Sequence, residues 1–84
     1  MRMAKIKAVM FRGTGTTCDG KEYRKFIIRI DTEELFSVCE WSIIKPAIMA
    51  GIIDFTNTIN VCKALIDVEC EVEEDDEGHR LLKF

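Results

Sequence analysis

The sequence predicts a small, mainly β domain, and three observations support that prediction. Residues 4–11, 22–31 and 63–72 alternate polar and apolar side chains with period two, which is typical of strands with one buried face. Turn-forming residues separate these segments, most clearly Asp19-Gly20 and the run EEDDEG before His79. The chain has 84 residues, so we expect one domain over residues 1–84 with a thin core.

The first two strands are predicted from AKIKAVMF and EYRKFIIRID. In the first segment we expect Ile6, Ala8 and Met10 to share one face and Lys5, Lys7, Val9 and Phe11 to share the other. In the second segment we expect Phe26, Ile28 and Ile30 on one face, with Tyr23, Lys25, Ile27 and Arg29 opposite.

The stretch GTTCDGKE, from Gly15 to Glu22, connects these two segments and contains the phosphate-binding pattern G-x-x-x-x-G-K. Its eighth position, where a Ser or Thr hydroxyl would hold Mg²⁺, is Glu22. The residues after it alternate with period two, whereas a phosphate loop leads into a helix. We therefore predict a β-hairpin that turns at Asp19-Gly20. Gly13 and Gly15 loosen the preceding strand, which is consistent with a bulge or with a mobile hairpin arm.

The remaining elements follow in order. ELFSVCEW predicts a third strand of undetermined register, and SIIKPAIMAG predicts a short helix from near Pro46 to a left-handed cap at Gly51. Residues 54–63 are ambiguous, although their β-branched content favours strand or loop over helix. HRLLKF predicts the last strand. In KALIDVECEV we expect an inward face made of Ala64, Ile66, Val68, Cys70 and Val72.

Five short strands with one helix between the third and fourth predict a five-stranded OB-like barrel. Closing the sheet is the simplest way for a small all-β chain to remove exposed strand edges. An open β-sandwich or an SH3-like barrel is the alternative.

Charge is distributed unevenly along the chain, whose net charge is −3. Residues 1–30 hold eight Lys and Arg against two acidic residues, a net +6, whereas residues 31–84 hold four against thirteen, a net −9. This asymmetry predicts an anionic partner for the N-terminal part.

The residue types give little support to catalysis, a metal site or a cofactor, and we expect none of these. The four cysteines contain no C-x-x-C pair, so we interpret them as reduced thiols. The single histidine, His79, follows an acidic turn and has no evident nucleophile beside it. The acidic residues 67–77 lack the spacing of a calcium loop.

Membrane insertion and export are not expected either. The apolar stretch SIIKPAIMAGII is interrupted by Lys45 and Pro46 and falls short of the ~20 residues that a membrane span needs. The N-terminal residues do not resemble an export signal, so we expect a cytoplasmic location.

Single-stranded nucleic acid is the partner that the basic segment favours. Proteins that bind single strands combine cations along the phosphates with aromatic rings on which bases stack. Tyr23, and also Phe11 and Trp41, could provide such rings, although core packing is the favoured interpretation for Trp41. The candidate binding residues are Lys5, Lys7, Arg12, Lys21, Tyr23, Arg24, Lys25, Arg29 and Trp41.

The segment RGTGTTCDGKEYRKFIIRID and the residues after it, about 12–50, resemble the small single-stranded-DNA-binding proteins of filamentous phages and mobile elements. The resemblance implies an OB-like barrel and a homodimer that coats single-stranded DNA, or alternatively RNA, as an accessory in replication or recombination. By position it implies that Tyr23 stacks on bases and that Arg12, Lys21 and Arg24 contact phosphates. The acidic C-terminal half departs from this pattern.

A protein-interaction module is the second functional hypothesis. The acidic residues 67–77 could mimic the charge of DNA and occupy the DNA-binding groove of another protein, as small phage inhibitors do. Alternatively, the chain could be an accessory subunit that uses an exposed strand edge. The two hypotheses differ in which charged surface meets the partner.

Overall fold

A computed structural model describes residues 2–52 and 58–84, which form one five-stranded antiparallel sheet and two helices. In chain order the elements are β1 (Arg2–Thr16), β2 (Glu22–Ile30), β3 (Leu35–Cys39), α1 (Glu40–Met49), α2 (Thr58–Leu65), β4 (Glu69–Glu74) and β5 (Arg80–Lys83). The order of strands across the sheet is β3-β2-β1-β4-β5. The mainly β class with five strands is confirmed, whereas the sheet is open and the single predicted helix is replaced by two.

Strand β1 is the longest element, and two register shifts divide its pairing with β2. The first shift lies between Ile6 and Ala8, and it moves the inward face from even to odd positions. Ile6 is fully buried, whereas Val9 packs against the core and Met10 is exposed. The prediction that Ile6, Ala8 and Met10 share a face is therefore wrong, because a bulge interrupts the alternation.

Strand β2 carries the centre of the core. Phe26, Ile28 and Ile30 are buried, as their alternation predicts, and they pack with Ile6 of β1 and Phe36 of β3. The register of β3, which the sequence left open, pairs Ile28 with Phe36.

Helix α1 begins directly after β3, so the prediction that it starts near Pro46 is wrong. Pro46 lies inside the helix, and the carbonyl that loses its helical donor belongs to Ser42, an exposed residue. The predicted cap at Gly51 is confirmed. Gly51 has φ 75°, its N–H donates to Ile48 O (3.0 Å), and the N–H of Ile52 donates to Ala47 O (2.8 Å). This is a Schellman motif.

Helix α2 occupies part of the segment for which strand or loop was favoured. Residues 54–57 lie outside the described part of the chain, and residues 58–65 are helical, with Val61 and Leu65 buried. Strand β4 begins only at Glu69, so Cys70 and Val72 point inward as predicted, whereas Ile66 is exposed. Leu65, the last residue of α2, is buried in the core instead of Ile66. Neither helix in the described residues is long and apolar enough to cross a membrane.

The two edge strands, β3 and β5, are linked by a cluster around Glu34. Arg80 at the start of β5 donates to the Glu34 carboxylate (2.7 Å), Arg2 of β1 donates to the same group, and the Arg80 guanidinium lies 5.0 Å from the Phe36 ring centre. Hydrogen bonds from Arg2 and Thr32 hold the pKa of Glu34 below its ordinary value. The open sheet is thus drawn together at one end by ion pairs.

Candidate nucleic-acid interface

The stretch GTTCDGKE forms the tip of the β1–β2 hairpin, as predicted. The Thr17 N–H donates to Lys21 O (2.8 Å), the Gly20 N–H donates to Thr17 O (3.0 Å), and the Lys21 N–H is 3.1 Å from the Thr17 hydroxyl. Gly20 has φ 86°, which a glycine adopts without strain. These N–H groups bond within the turn and a strand follows, so the geometry of a nucleotide-binding loop is absent.

An acidic side chain is fixed within this basic tip. The Thr17 hydroxyl donates to the Asp19 carboxylate and holds its pKa below its ordinary value, so Asp19 is ionised at neutral pH. Lys21, two residues later, is exposed.

One face of the hairpin points away from the core and gathers most of the candidate residues. On β2 this face carries Tyr23, Lys25 and Arg29, which alternate with the buried positions. On β1 it carries Met10, paired with Ile27, and Arg12 lies at the second register shift, opposite Lys25. The outer hairpin face is defined by these residues: Met10, Arg12, Tyr23, Lys25, Ile27 and Arg29.

The second shift depends on a glycine in a conformation that other residues avoid. Gly13 has φ 99° and lies between the pairs Phe11–Phe26 and Thr14–Arg24, where β1 has one residue more than β2. Of the two alternatives for this part of the strand, a bulge or a mobile arm, the structure has a bulge, and it lies at Gly13. Such bulges strengthen the twist of a strand, and this one bends the hairpin at Arg12.

Tyr23 lies across the sheet on Gly15, its direct cross-strand partner. A Cβ atom added to Gly15 would be 2.6 Å from both the ring Cζ and the hydroxyl oxygen of Tyr23. Lys25 Nζ lies 5.9 Å from the ring centre, within cation–π range. One surface of the ring therefore covers a glycine, and the ring is held flat over the strands beside a cation.

Replacing Gly15 with valine is expected to displace the Tyr23 ring while leaving the hairpin folded. Gly15 does not have a positive φ, so only the ring opposes a side chain there. NOE contacts between the Tyr23 ring protons and residue 15 should be lost. The binding free energy of a nucleic acid that stacks one base on this ring should weaken by up to ~1–3 kcal/mol. Thr16→Val, one position along the same strand, is the control. An unmoved ring in Gly15→Val would contradict this packing.

Four cations of the hairpin have no acidic partner in the described part of the chain: Arg12, Lys21, Lys25 and Arg29. Elsewhere in the sheet most basic groups have an acidic partner, as in the 2.8 Å pair between Lys83 and Glu73. Uncompensated positive charge is therefore concentrated on and beside the outer hairpin face. Phosphate groups are attracted by such a surface.

The other predicted binding residues are placed differently. Arg24 points to the opposite side from Tyr23 and donates to Glu40 at the start of α1 (2.6 Å). Lys7 Nζ lies 3.7 Å from Asp67, and Lys5 is paired in register with Glu69 of β4. These three cations are thus next to carboxylates, and the structure does not bring them into the outer hairpin face.

Trp41, for which core packing was favoured, is 69% exposed. It lies in the first turn of α1, two residues after Cys39, which pairs with Lys25. Lys45 Nζ lies 5.7 Å from its ring centre. The core alternative is therefore wrong, and a second exposed ring with a neighbouring cation begins where β3 leaves the hairpin.

Two exposed apolar residues near this face were not among the candidates. Met10 lies on the outer hairpin face, and Leu35 is paired with Arg29 on the neighbouring strand. Met10 could not be found from sequence, because the bulge after Ile6 reverses the face to which it points. Leu35 could not be found either, because only the register of β3, which the sequence left open, places it beside Arg29.

The acidic turn lies at the far end of β1 from the hairpin tip. Strand β4 pairs Val72 with Arg2, so the turn of residues 75–78 extends beyond the start of β1. Within the turn, the Asp75 carboxylate accepts the N–H groups of Glu77 (3.0 Å) and His79 (2.8 Å). In the described residues no three His, Cys, Asp or Glu side chains are grouped as metal ligands.

Comparisons with protein-family models, curated proteins and solved structures found no match to this chain. The two ends of the sheet, one basic and one acidic, are therefore the features from which a function can be inferred.

Proposed function

We propose that this protein binds single-stranded nucleic acid, with DNA as the primary partner, through the outer hairpin face. The observation that carries the proposal is the combination of unpaired cations with a tyrosine ring held flat against the sheet. Phosphates would lie along Arg12, Lys25 and Arg29, while a base stacks on the exposed surface of Tyr23. Lys21 at the tip and Trp41 at the edge of β3 extend the same path.

The order of the elements supports this assignment. In OB folds, the face of strands 2 and 3 and the loop between strands 1 and 2 bind oligonucleotides. Here the corresponding elements are β2, β3 and the GTTCDGKE turn, which carry Tyr23, Lys25 and Lys21. The resemblance of residues 12–50 to phage and mobile-element DNA-binding proteins agrees with it. That resemblance also leads us to propose a homodimer, a cytoplasmic location and an accessory role in replication or recombination.

The test is a fluorescence titration with oligo-dT of about 16 nucleotides, the upper end of the usual site size for one such domain. Quenching of tyrosine and tryptophan emission is expected, because bases would stack on Tyr23 and Trp41. With four phosphate contacts, the plot of log K against log salt should have a slope of about −2.8. Duplex DNA is the control and should bind more weakly without quenching. Absence of binding at low salt would contradict the proposal.

The alternative proposal is an acidic interaction module that acts through residues 67–77. The exposed turn around Asp75 supports it. Lys7 and Lys83, however, neutralise Asp67 and Glu73 within that segment, and this weakens it as a mimic of DNA. A partner captured by the protein should be released when Glu69, Glu71 and Glu73 are replaced by glutamine.

A further inference from the structure

An apolar strip crosses the sheet on the side of the outer hairpin face. Met10 of β1 is the direct cross-strand partner of Ile27 of β2, so their side chains lie within contact distance. Leu35 of β3 pairs with Arg29, which makes it the diagonal neighbour of Ile27. Met10 is 48% exposed, Leu35 is 55% exposed, and Ile27 is half-buried between them. The apolar strip, defined as Met10, Ile27 and Leu35, is therefore open to a ligand.

The strip lies between cations that favour a nucleic-acid strand. The outer positions of β2 are Tyr23, Lys25, Ile27 and Arg29, which are in turn a ring, a cation, an aliphatic side chain and a cation. Successive positions on one face of a strand are about 6.8 Å apart. Lys25 and Arg29 have no acidic partner in the described part of the chain. A nucleic acid whose phosphates contact both cations therefore crosses the strip between them.

The chemistry of the strip limits what it can recognise in a nucleotide. Isoleucine and leucine side chains have no hydrogen-bonding group, and methionine has only a weakly accepting thioether. Such a surface does not read the donors and acceptors on the edge of a base. It discriminates between bases by the apolar surface that each base removes from water. Of the four bases of DNA, thymine is the one that carries a methyl group, at C5.

We propose that the apolar strip packs against the C5 methyl group of thymine and gives the outer hairpin face a preference for thymine-containing single strands. This inference rests on the proposed function, because it takes a single strand to follow that face. The cations and the Tyr23 ring bind phosphates and bases of any sequence, and the strip adds a contact that depends on the base. Uracil has the hydrogen-bonding groups of thymine without the methyl group, so it lacks this contact alone.

The probes are oligo-dT and oligo-dU of about 16 nucleotides, which differ only in the methyl groups, titrated into the full chain. Burial of one methyl group should make the binding of oligo-dT about fourfold tighter than that of oligo-dU. Equal affinities would overturn this inference and leave the proposed function standing. Absence of binding by both oligonucleotides at low salt would overturn the proposed function and this inference with it.

Two substitutions remove the strip while keeping the charge of the face. Met10→Gln keeps a long side chain, Ile27→Thr keeps a β-branched one, and both make the position polar. The double variant should bind the two oligonucleotides equally, with the affinity of the parent for oligo-dU. Because Ile27 is half-buried, Met10→Gln alone is the second variant, and it should lower the preference. In the parent complex, NOE contacts should join the Met10 ε-methyl group to thymine methyl groups. An undiminished preference in the folded variants would overturn the inference.

Two neighbouring positions provide controls. Ser37→Ala removes the exposed hydroxyl directly across from Ile27, and the fourfold preference should remain, because a serine hydroxyl bonds to any base. Gly15→Val displaces the Tyr23 ring, so it should weaken the binding of both oligonucleotides by the same factor. Loss of the preference in either control would assign it to the hydroxyl or to the ring, and the inference would then be overturned.

Discussion

Replacing Phe26 with alanine is expected to lower the free energy of unfolding by about 3–5 kcal/mol. Phe26 is 1% exposed in the middle of β2, and it packs with the other buried residues of the core. Domains of this length have roughly 4–13 kcal/mol of stability in total, so the variant should lose a large part of it. Urea denaturation followed by circular dichroism would measure the difference.

The control is the same substitution at its cross-strand partner. Phe11 is 44% exposed, and its ring centre lies 5.7 Å from that of Phe26 in a tilted pair. Phe11→Ala removes the ring contact, which is worth about 0.5–1.5 kcal/mol, and leaves no enclosed cavity. The loss of unfolding free energy in Phe11→Ala should therefore be clearly smaller than in Phe26→Ala. Equal losses of unfolding free energy at the two positions would contradict the difference in burial between Phe11 and Phe26.

The elements that were predicted correctly are those in which local chemistry and long-range packing agree. Phe26, Ile28 and Ile30 alternate without interruption, so one face of β2 had to be buried. The turn at Gly20 and the cap at Gly51 each need a positive φ, which glycine provides locally. These features could be inferred because they do not depend on where a neighbouring strand lies.

The elements that were predicted wrongly depend on contacts with a neighbouring strand. The bulge after Ile6 moves Met10 outward, and no residue type in that segment marks it. Pro46 indicates a helix start, but the helix extends back to Glu40, whose carboxylate bonds to Arg24. Tertiary contacts outweighed the local signal in both places, as they often do for propensities.

The charge asymmetry of the chain was evident from sequence, but its consequence was not. Lys5, Lys7 and Arg24 seemed equivalent to the hairpin cations until the sheet placed carboxylates beside them. The antiparallel pairing of β1 with β4 is what brings acidic residues of the C-terminal half to the basic N-terminal strand. Within the sheet, the cations without an ion pair lie mainly in the hairpin, and this makes the candidate interface narrower than the sequence suggested.

Removing the four hairpin cations is expected to abolish most of the salt-dependent affinity for oligo-dT. The variant replaces Arg12, Lys21, Lys25 and Arg29 with glutamine, which keeps long polar side chains on exposed positions. Each lost phosphate contact should reduce the slope of log K against log salt by about 0.7, and four contacts should reduce it by up to about 2.8. Titrations at several salt concentrations, with circular dichroism to confirm folding, would measure the change.

A second variant with the same charge separates a local site from the general attraction of a cation for DNA. Replacing Lys5, Lys7, Lys63 and Lys83 with glutamine also takes the net charge from −3 to −7. If phosphates follow the outer hairpin face, this variant should keep most of the slope, because its four lysines lie outside that face. An equal loss of slope in both variants would mean that the nucleic acid responds to net charge alone, and the hairpin would then not be the binding site.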